Sequence, residues 1–292
     1  MKPKLRFLVQ LSVVGCLLAL VACNRDGTQA HSESTVDKVQ RTGTLRLGYF
    51  LFEPTIVIEP NSTKVKGLFI DVAEQLARDM RWKIEYRQVD LKNFAAGLQA
   101  GEFDLSIGAT FSSPSRASGV AFTNPLFYLG YTGVTTSENA KRFHSWADID
   151  QPGVRVAVKQ GSAIGDYVRR SFKKATIVAL EEPALSAPLA AVPGQADVGL
   201  MNQITVFTFL RDNQGHNLVE ILADQPMEFT GICWAVRPDD ERWLQFINTA
   251  LKHYIDTGRY QEWERAYSVP YMYHEQRQFR FVAPGRTGDT QR

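Results

Sequence analysis

Cysteine, histidine and excess charge are all scarce in this sequence, and no apolar run is long enough to make a stable membrane span. Only three cysteines occur in 292 residues. Cys16 and Cys23 lie near the start, so a chain cut before Cys23 and modified there keeps Cys233 as its one free thiol. One thiol makes no internal disulfide, and the fold must hold by packing. Cys233 sits in the apolar stretch Ile232-Cys233-Trp234 and reads as buried and inert. Five histidines (His31, His144, His216, His253 and His274) are far apart, with no close Cys or His neighbour, so no metal site is expected. There is no P-loop, no G-x-S-x-G and no G-x-G-x-x-G, and no cofactor is expected either. Setting aside Lys2, Lys4 and Arg6 from the 33 Lys and Arg leaves 30 against 31 Asp and Glu. A near-neutral chain gives no electrostatic case for binding nucleic acid.

What the N-terminus does contain is a leader. Lys2, Lys4 and Arg6 precede an apolar run from Phe7 to Ala22, broken by Gln10, Ser12 and Gly15. The run falls short of the ~20 apolar residues a span needs, and a basic start with small residues before a cut site makes a signal peptide. Leu20-Val21-Ala22-Cys23 resembles the lipobox of bacterial lipoproteins, which implies acylation of Cys23. The alternative is an ordinary secretory signal that happens to contain a Cys. The expected parts are a signal over residues 1–23 and a polar, flexible tether over 24–39, with regular structure from about Gly43. The chain is expected in the periplasm or at the cell surface, held to a bacterial membrane by lipid.

With about 270 residues after the leader, the chain can bury a large core and form two lobes. Thr44–Gly48 alternates like a strand, and Phe69, Val72, Ala73, Leu76, Ala77 and Met80 fall at helical spacing. Trp82–Tyr86 alternates again. Leu91, Phe94 and Leu98 predict a short helix ending before Gly101, and Leu105–Ala109 a third strand. A second unit repeats the pattern: strand Val154–Val158, helix Ile164–Phe172, strand Thr176–Leu180, a helix around 184–192 and strand Asp197–Met201. Strand and helix alternation predicts mostly parallel sheets with helices on their faces. Asp239 or Asp240 can cap a last helix that carries Trp243, Ile247, Leu251 and Tyr254 and stops near Gly258. The polar tail over 273–292 is expected to be loose.

Several motifs now fall in a recognisable order: Gly43-Thr44-Leu45-Arg46-Leu47-Gly48, Phe52-Glu53-Pro54, Gly67-Leu68-Phe69-Ile70-Asp71-Val72-Ala73 and Leu98-Gln99-Ala100-Gly101-Glu102-Phe103-Asp104. Arg116 then precedes Phe122-Thr123-Asn124-Pro125, and Ile149-Asp150-Gln151-Pro152-Gly153-Val154 leads to Val158-Lys159-Gln160-Gly161-Ser162. Gly194-Gln195-Ala196-Asp197 and Asp256-Thr257-Gly258-Arg259-Tyr260 complete the set. In this order they resemble the family 3 extracytoplasmic solute-binding proteins, the receptors of polar-amino-acid ABC importers. The resemblance implies an α/β, two-lobed periplasmic-binding-protein fold of type II. Each lobe is a central, mostly parallel sheet flanked by helices, and two hinge strands join them. Lobe one is expected over 40–131 and 230–272 and lobe two over 132–229, with the hinges near Tyr131–Thr135 and Phe229–Ala235. It further implies a monomer that captures a small carboxylate-bearing solute by hinge closure and delivers it to an importer permease.

Site residues follow from the same resemblance. Arg116, in a loop just past a strand, can hold a carboxylate through two parallel charge-assisted bonds. Phe52 matches the aromatic wall, with Phe50 as its rival. Gly161 and Ser162 open a helix whose N–H groups could clamp the same carboxylate, although Ser162 could equally be a plain N-cap. Ala109 lies beside the ligand in the matched strand. Three positions depart from the amino-acid binders. Phe111 replaces a hydroxyl residue, Ala163 replaces a Thr, and Asn202 replaces the Asp that holds the ligand's ammonium. An Asn cannot neutralise a buried cation. Either another acid does so, with Glu53 the nearest candidate, or the ligand has no free α-ammonium.

Two further readings share the scaffold. Arg142-Phe143, the start of lobe two and Lys173-Lys174-Ala175 also resemble periplasmic cyclohexadienyl dehydratase. That chemistry needs a carboxylic acid in the cleft, and the matching position is Thr205, so no enzyme activity is expected. A receptor of this kind can also present its ligand to a membrane sensor in place of a permease.

Overall fold

The computed structural model describes residues 33–160, 162–181, 190–191 and 194–267. The predicted signal with Cys23, Gly161, most of the predicted helix at 184–192 and the tail over 273–292 lie outside the described residues.

The first element corrects the expected tether. Thr35–Thr42 is a helix, α1, where the sequence reading has flexible chain to residue 39. Its apolar signal is only Val36 and Val39, yet both are buried. Distant residues supply the rest of its hold. The Asp240 carboxylate accepts bonds from the Ser34 hydroxyl at 2.7 Å and the Thr35 N–H at 2.6 Å. Lys38 Nζ reaches Asp104 at 2.8 Å. Gly43, at φ 67, ends the helix with its N–H on the Val39 carbonyl.

Lobe one continues with β1 (Thr44–Tyr49), β2 (Val57–Ile58), β3 (Val65–Lys66), α2 (Leu68–Met80), β4 (Lys83–Gln88), α3 (Phe94–Gln99), β5 (Leu105–Phe111), α4 (Pro114–Ala117) and β6 (Ala121–Phe122). Strand β7 (Phe127–Thr136) crosses into lobe two. There follow α5 (Trp146–Ile149), β8 (Arg155–Lys159), α6 (Ala163–Ser171), β9 (Thr176–Leu180), β10 (Val198–Asn202), α7 (Gln203–Asp212) and β11 (Leu218–Ile221). Strand β12 (Met227–Val236) returns to lobe one, which α8 (Glu241–Asp256) and α9 (Arg259–Tyr267) complete. The helix expected from Leu91 begins at Phe94 instead, because Leu91 lies exposed in the preceding turn. Asp240 caps α8 by accepting the Trp243 N–H at 3.1 Å.

Apart from the separate β2–β3 pair, the described strands form one continuous sheet in the order β4-β1-β5-β12-β7-β10-β8-β9, with β6 on β12 and β11 on β7 beside that path. Strand β1 is parallel to β4 and β5, and β8 is parallel to β9 and β10. The two long strands β7 and β12 are antiparallel to each other and join the halves. Along β7 the packing changes owner. Phe127 and Leu129 belong to the lobe-one core with Leu45, Phe69 and Trp234, whereas Tyr131 belongs to the lobe-two core with Val156 and Ile164. Along β12 the change runs the other way, from Met227 to Ile232.

Each lobe is pinned by the same device. In lobe one, Asp104 accepts from the Arg46 backbone N–H at 3.0 Å and from Arg46 Nη2 at 2.7 Å, while its own N–H bonds the Arg46 carbonyl at 2.8 Å. In lobe two, Asp197 does the same to Arg155: N–H at 2.8 Å, Nε at 3.2 Å, and Asp197 N–H to Arg155 carbonyl at 2.8 Å. Burial works to raise both carboxyls, but the bonds and charges of Arg46 and Lys38 at Asp104, and of Arg155 at Asp197, together outweigh it and hold each below the ordinary carboxylate value. The two Asp residues of the sequence motifs are therefore strand clamps.

Candidate ligand-binding cleft

The carboxyl ends of β1 and β5 in lobe one and of β8 and β10 in lobe two are where an open α/β sheet binds its ligands. Phe111 ends β5. Its ring stacks on Tyr131 with centroids 5.3 Å apart and planes at 20°, and it packs against both cores. Ala109, two residues earlier, is 5% exposed and lies in the lobe-one core.

Arg116 sits on α4, a four-residue turn of helix that Ser113 caps by accepting the Arg116 N–H at 3.3 Å. Its Nη1 donates to the Phe111 carbonyl at 2.9 Å. That bond draws the guanidinium back toward the end of β5. Among the described residues no carboxylate pairs with Arg116, so most of its donor fork is open to an anion. Its charge is felt at Tyr131. Burial pushes the Tyr131 phenol well above its ordinary value, Arg116 draws it back down, and Glu228 pushes it up.

Asn202 ends β10 opposite Tyr131 in the β7 register. It is 8% exposed, and its side chain is used locally. The amide Oδ1 accepts the Thr205 N–H at 3.0 Å, and Nδ2 donates to Thr205 Oγ1 at 2.8 Å. Asn202 is thus the N-cap of α7. Ser162 plays the same part for α6: its Oγ accepts the Gly165 N–H at 3.1 Å and donates to the Lys159 carbonyl at 2.6 Å. Of the two roles considered for Ser162, its hydroxyl is in the capping one.

Phe52 and Glu53 lie on a turn bolted to α2. Phe52 and Ile56 exchange backbone bonds at 3.0 Å, Thr55 Oγ1 donates to the Phe52 carbonyl at 2.8 Å, and the Phe69 N–H reaches the Thr55 carbonyl at 3.0 Å. Gly67 is required here: its φ is 132, and a Cβ would lie 2.2 Å from the Thr55 carbonyl oxygen. Phe52 is partly buried against the lobe-one core. Its rival Phe50 covers Gly108, where a Cβ would come within 2.0 Å of the ring, and leans on Phe94 at 6.5 Å. Glu53 is exposed and pairs with Arg211 of α7 at 2.9 Å. The structure thus gathers Phe111, Arg116, Tyr131 and Asn202 at the hinge, and Phe52 and Glu53 at the end of β1.

Two residues near the hinge carry no functional signal in the sequence. Tyr131 reads only as a hinge boundary, and the ring partner that reveals it lies twenty residues away in another strand. Glu228, on β12, sits half-buried at φ 52, and burial raises its carboxyl while Arg170 works against that. A lone acid next to an apolar run gives no sequence signal for this. No group of three or more His, Cys, Asp or Glu that could hold a metal occurs among the described residues. Nor is any described helix long and apolar enough to cross a membrane.

This arrangement can hold an anion on Arg116 and pack an apolar body against aromatic rings. Known proteins support the scaffold. The chain is similar to the cyclohexadienyl dehydratase of Pseudomonas aeruginosa, 24% identical over 251 residues that cover 86% of this chain and 90% of the relative. It is similar to the ABC transporter glutamine-binding protein GlnH of Bacillus subtilis, 25% identical over 207 residues, 70% of this chain and 72% of the relative. Among solved structures, the ancestral amino acid-binding protein AncCDT-1, a precursor of cyclohexadienyl dehydratase, superposes with a TM-score of 0.69 at 25% identity, covering 80% of this chain and 99% of the other. The sequence profile of the bacterial extracellular solute-binding proteins, family 3, matches residues 46–270, most of the chain, and the chain belongs to that family.

Proposed function

We propose that this chain is a lipid-anchored extracytoplasmic receptor that captures a small carboxylate-bearing solute by hinge closure and presents it to an ABC importer. The observation that carries the reading is the contrast between Arg116 and Asn202. The first offers a cation with no acid on it among the described residues, and the second is committed to capping α7. Glu53, the other acid considered for a ligand ammonium, is occupied by Arg211. Arg116 thus presents a positive charge to a solute, and the stacked Phe111 and Tyr131 favour an apolar or aromatic body. The ligand is a carboxylate with an apolar, aromatic or N-substituted body, bound with Arg116 and Phe52. A thermal-shift and calorimetric screen pairing each amino acid with its des-amino or N-acyl analogue tests this. The analogues are expected to stabilise the protein more; stabilisation by ordinary L-amino acids alone overturns it.

The dehydratase relative supports a second reading, since it spans most of both chains. The position matched to its acid is Thr205, whose Oγ1 accepts from Asn202 and which cannot deliver a carboxylic proton. Incubating the protein with prephenate and following phenylpyruvate decides between them; no turnover is expected.

A further inference from the structure

Glu53 and Arg211 stand 158 residues apart and on different lobes, yet their side chains meet at 2.9 Å. Both ends of this contact are held. Glu53 projects from the turn fixed by the Phe52–Ile56 exchange and by the Thr55 carbonyl on α2. Arg211 lies in the last turn of α7, and Asp212 grips its guanidinium in a fork, at 2.7 Å from Nε and 3.1 Å from Nη2. That Nη2 also serves Glu53, so Asp212 fixes the group in the orientation that reaches across. At its other end, α7 is rooted in the hinge. Fully buried Gln203 accepts the Gly130 N–H at 3.1 Å, and Ile204 packs in the lobe-one core. Lobe rotation about β7 and β12 therefore moves Arg211 away from Glu53, because the hinge end of α7 stays and its far end swings.

We propose that Glu53 and Arg211 form an ionic latch that favours the closed arrangement of the lobes before any solute is bound. The pair is solvent-exposed, at 45% and 46% for the two side chains, so its effect on an equilibrium constant is modest, about two- to five-fold. A hinge equilibrium with two states of similar free energy responds visibly to a factor of that size. The latch also grips the turn that carries Phe52, and so couples closure to the placement of that ring. Because the partners are exposed, salt weakens the contact as the screening length shortens.

The test uses the full-length, solute-free protein with a spin-label pair on exposed positions of the two lobes, Arg87→Cys and Lys174→Cys. Inter-lobe distances are read by double electron–electron resonance. Glu53→Gln and Arg211→Gln are each expected to shift the ratio of short- to long-distance populations about two- to five-fold toward the longer distance. The exchange Glu53→Lys with Arg211→Glu is expected to restore the short one. Raising salt from 0.05 to about 1 M should lengthen the parent's distance and leave Glu53→Gln unchanged. Unchanged distances in both single variants, or an exchange that stays as open as the singles, overturn the proposal. If Arg211→Gln does not fold, the exposed Glu53→Gln carries the same readout. No ligand enters the measurement, so its outcome is independent of whether Arg116 holds a carboxylate.

Discussion

Asn202 and Thr205 satisfy each other: the Asn202 amide accepts the Thr205 N–H at 3.0 Å and donates to its hydroxyl at 2.8 Å. This reciprocal cap occupies the two positions at which the family resemblance implies an ammonium-holding acid and a general acid. Asn202→Ala should lower stability by about 1 kcal/mol, read from urea unfolding at unchanged slope. Asn202→Asp keeps the cap, since a carboxylate at a helix start is favoured. It should also introduce binding of free amino acids by calorimetry where the parent shows little. No gain of amino-acid binding in a stable Asn202→Asp protein would mean that this residue does not set the ligand's charge.

Arg116 makes one hydrogen bond to the Phe111 carbonyl through its side chain. Arg116→Ala should therefore cost little stability and much affinity, about 10- to 100-fold in Kd for the carboxylate ligand. Arg116→Lys keeps the charge but not the fork and should fall between. Equal affinities for all three proteins would remove Arg116 from the site.

Asp104 and Asp197 make the two lobes sensitive to acid. Both folded carboxyls lie below the ordinary value, so their stabilisation is complete above about pH 4, the unfolded Asp range. It is lost as the pH falls through the lower folded values, because the unfolded chain binds protons first. Asp104→Asn should remove about 2 kcal/mol at pH 7 and flatten the acid limb of a stability–pH curve. Asp197→Asn should do less, because Arg155 is 42% exposed where Arg46 is 23% exposed.

The proposed acylation of Cys23 is tested in the native host. Metabolic labelling with a fatty acid should mark the parent, and Cys23→Ala should move the protein from the membrane to the soluble fraction. A Cys23→Ala protein that stays with the membrane would replace the lipid by another anchor.

Much of the fold is legible because local pattern and tertiary role agree. The alternation in Thr44–Gly48 and Val154–Val158 marks strands that do bury alternate or successive apolar residues. Asp240, Ser162 and Asn202 are cap types standing before helices, and all three cap. Helix α1 is not legible, because two valines are too few to announce a helix and its anchors are Asp104 and Asp240, far along the chain. The site is less legible for the same reason. Arg116 and Phe111 are neighbours in sequence, whereas the Phe111–Tyr131 stack and the Glu53–Arg211 pair exist only once the hinge strands have brought distant segments together. Glu53 shows the limit clearly: as an isolated acid beside Phe52 it suggests a ligand contact, and its actual partner is an arginine on the other lobe.

Helix α1 fixes more than the start of the fold. Val36 and Val39 are buried in lobe one, Asp240 holds Ser34 and Thr35, Asp104 holds Lys38, and Arg242 pairs with Asp37. The first described residues are therefore held by lobe one alone. A pull on that end loads lobe one as a rigid mount and bypasses both hinge strands. Under the proposed hinge closure, lobe two is then the free arm that swings while the mount stays still.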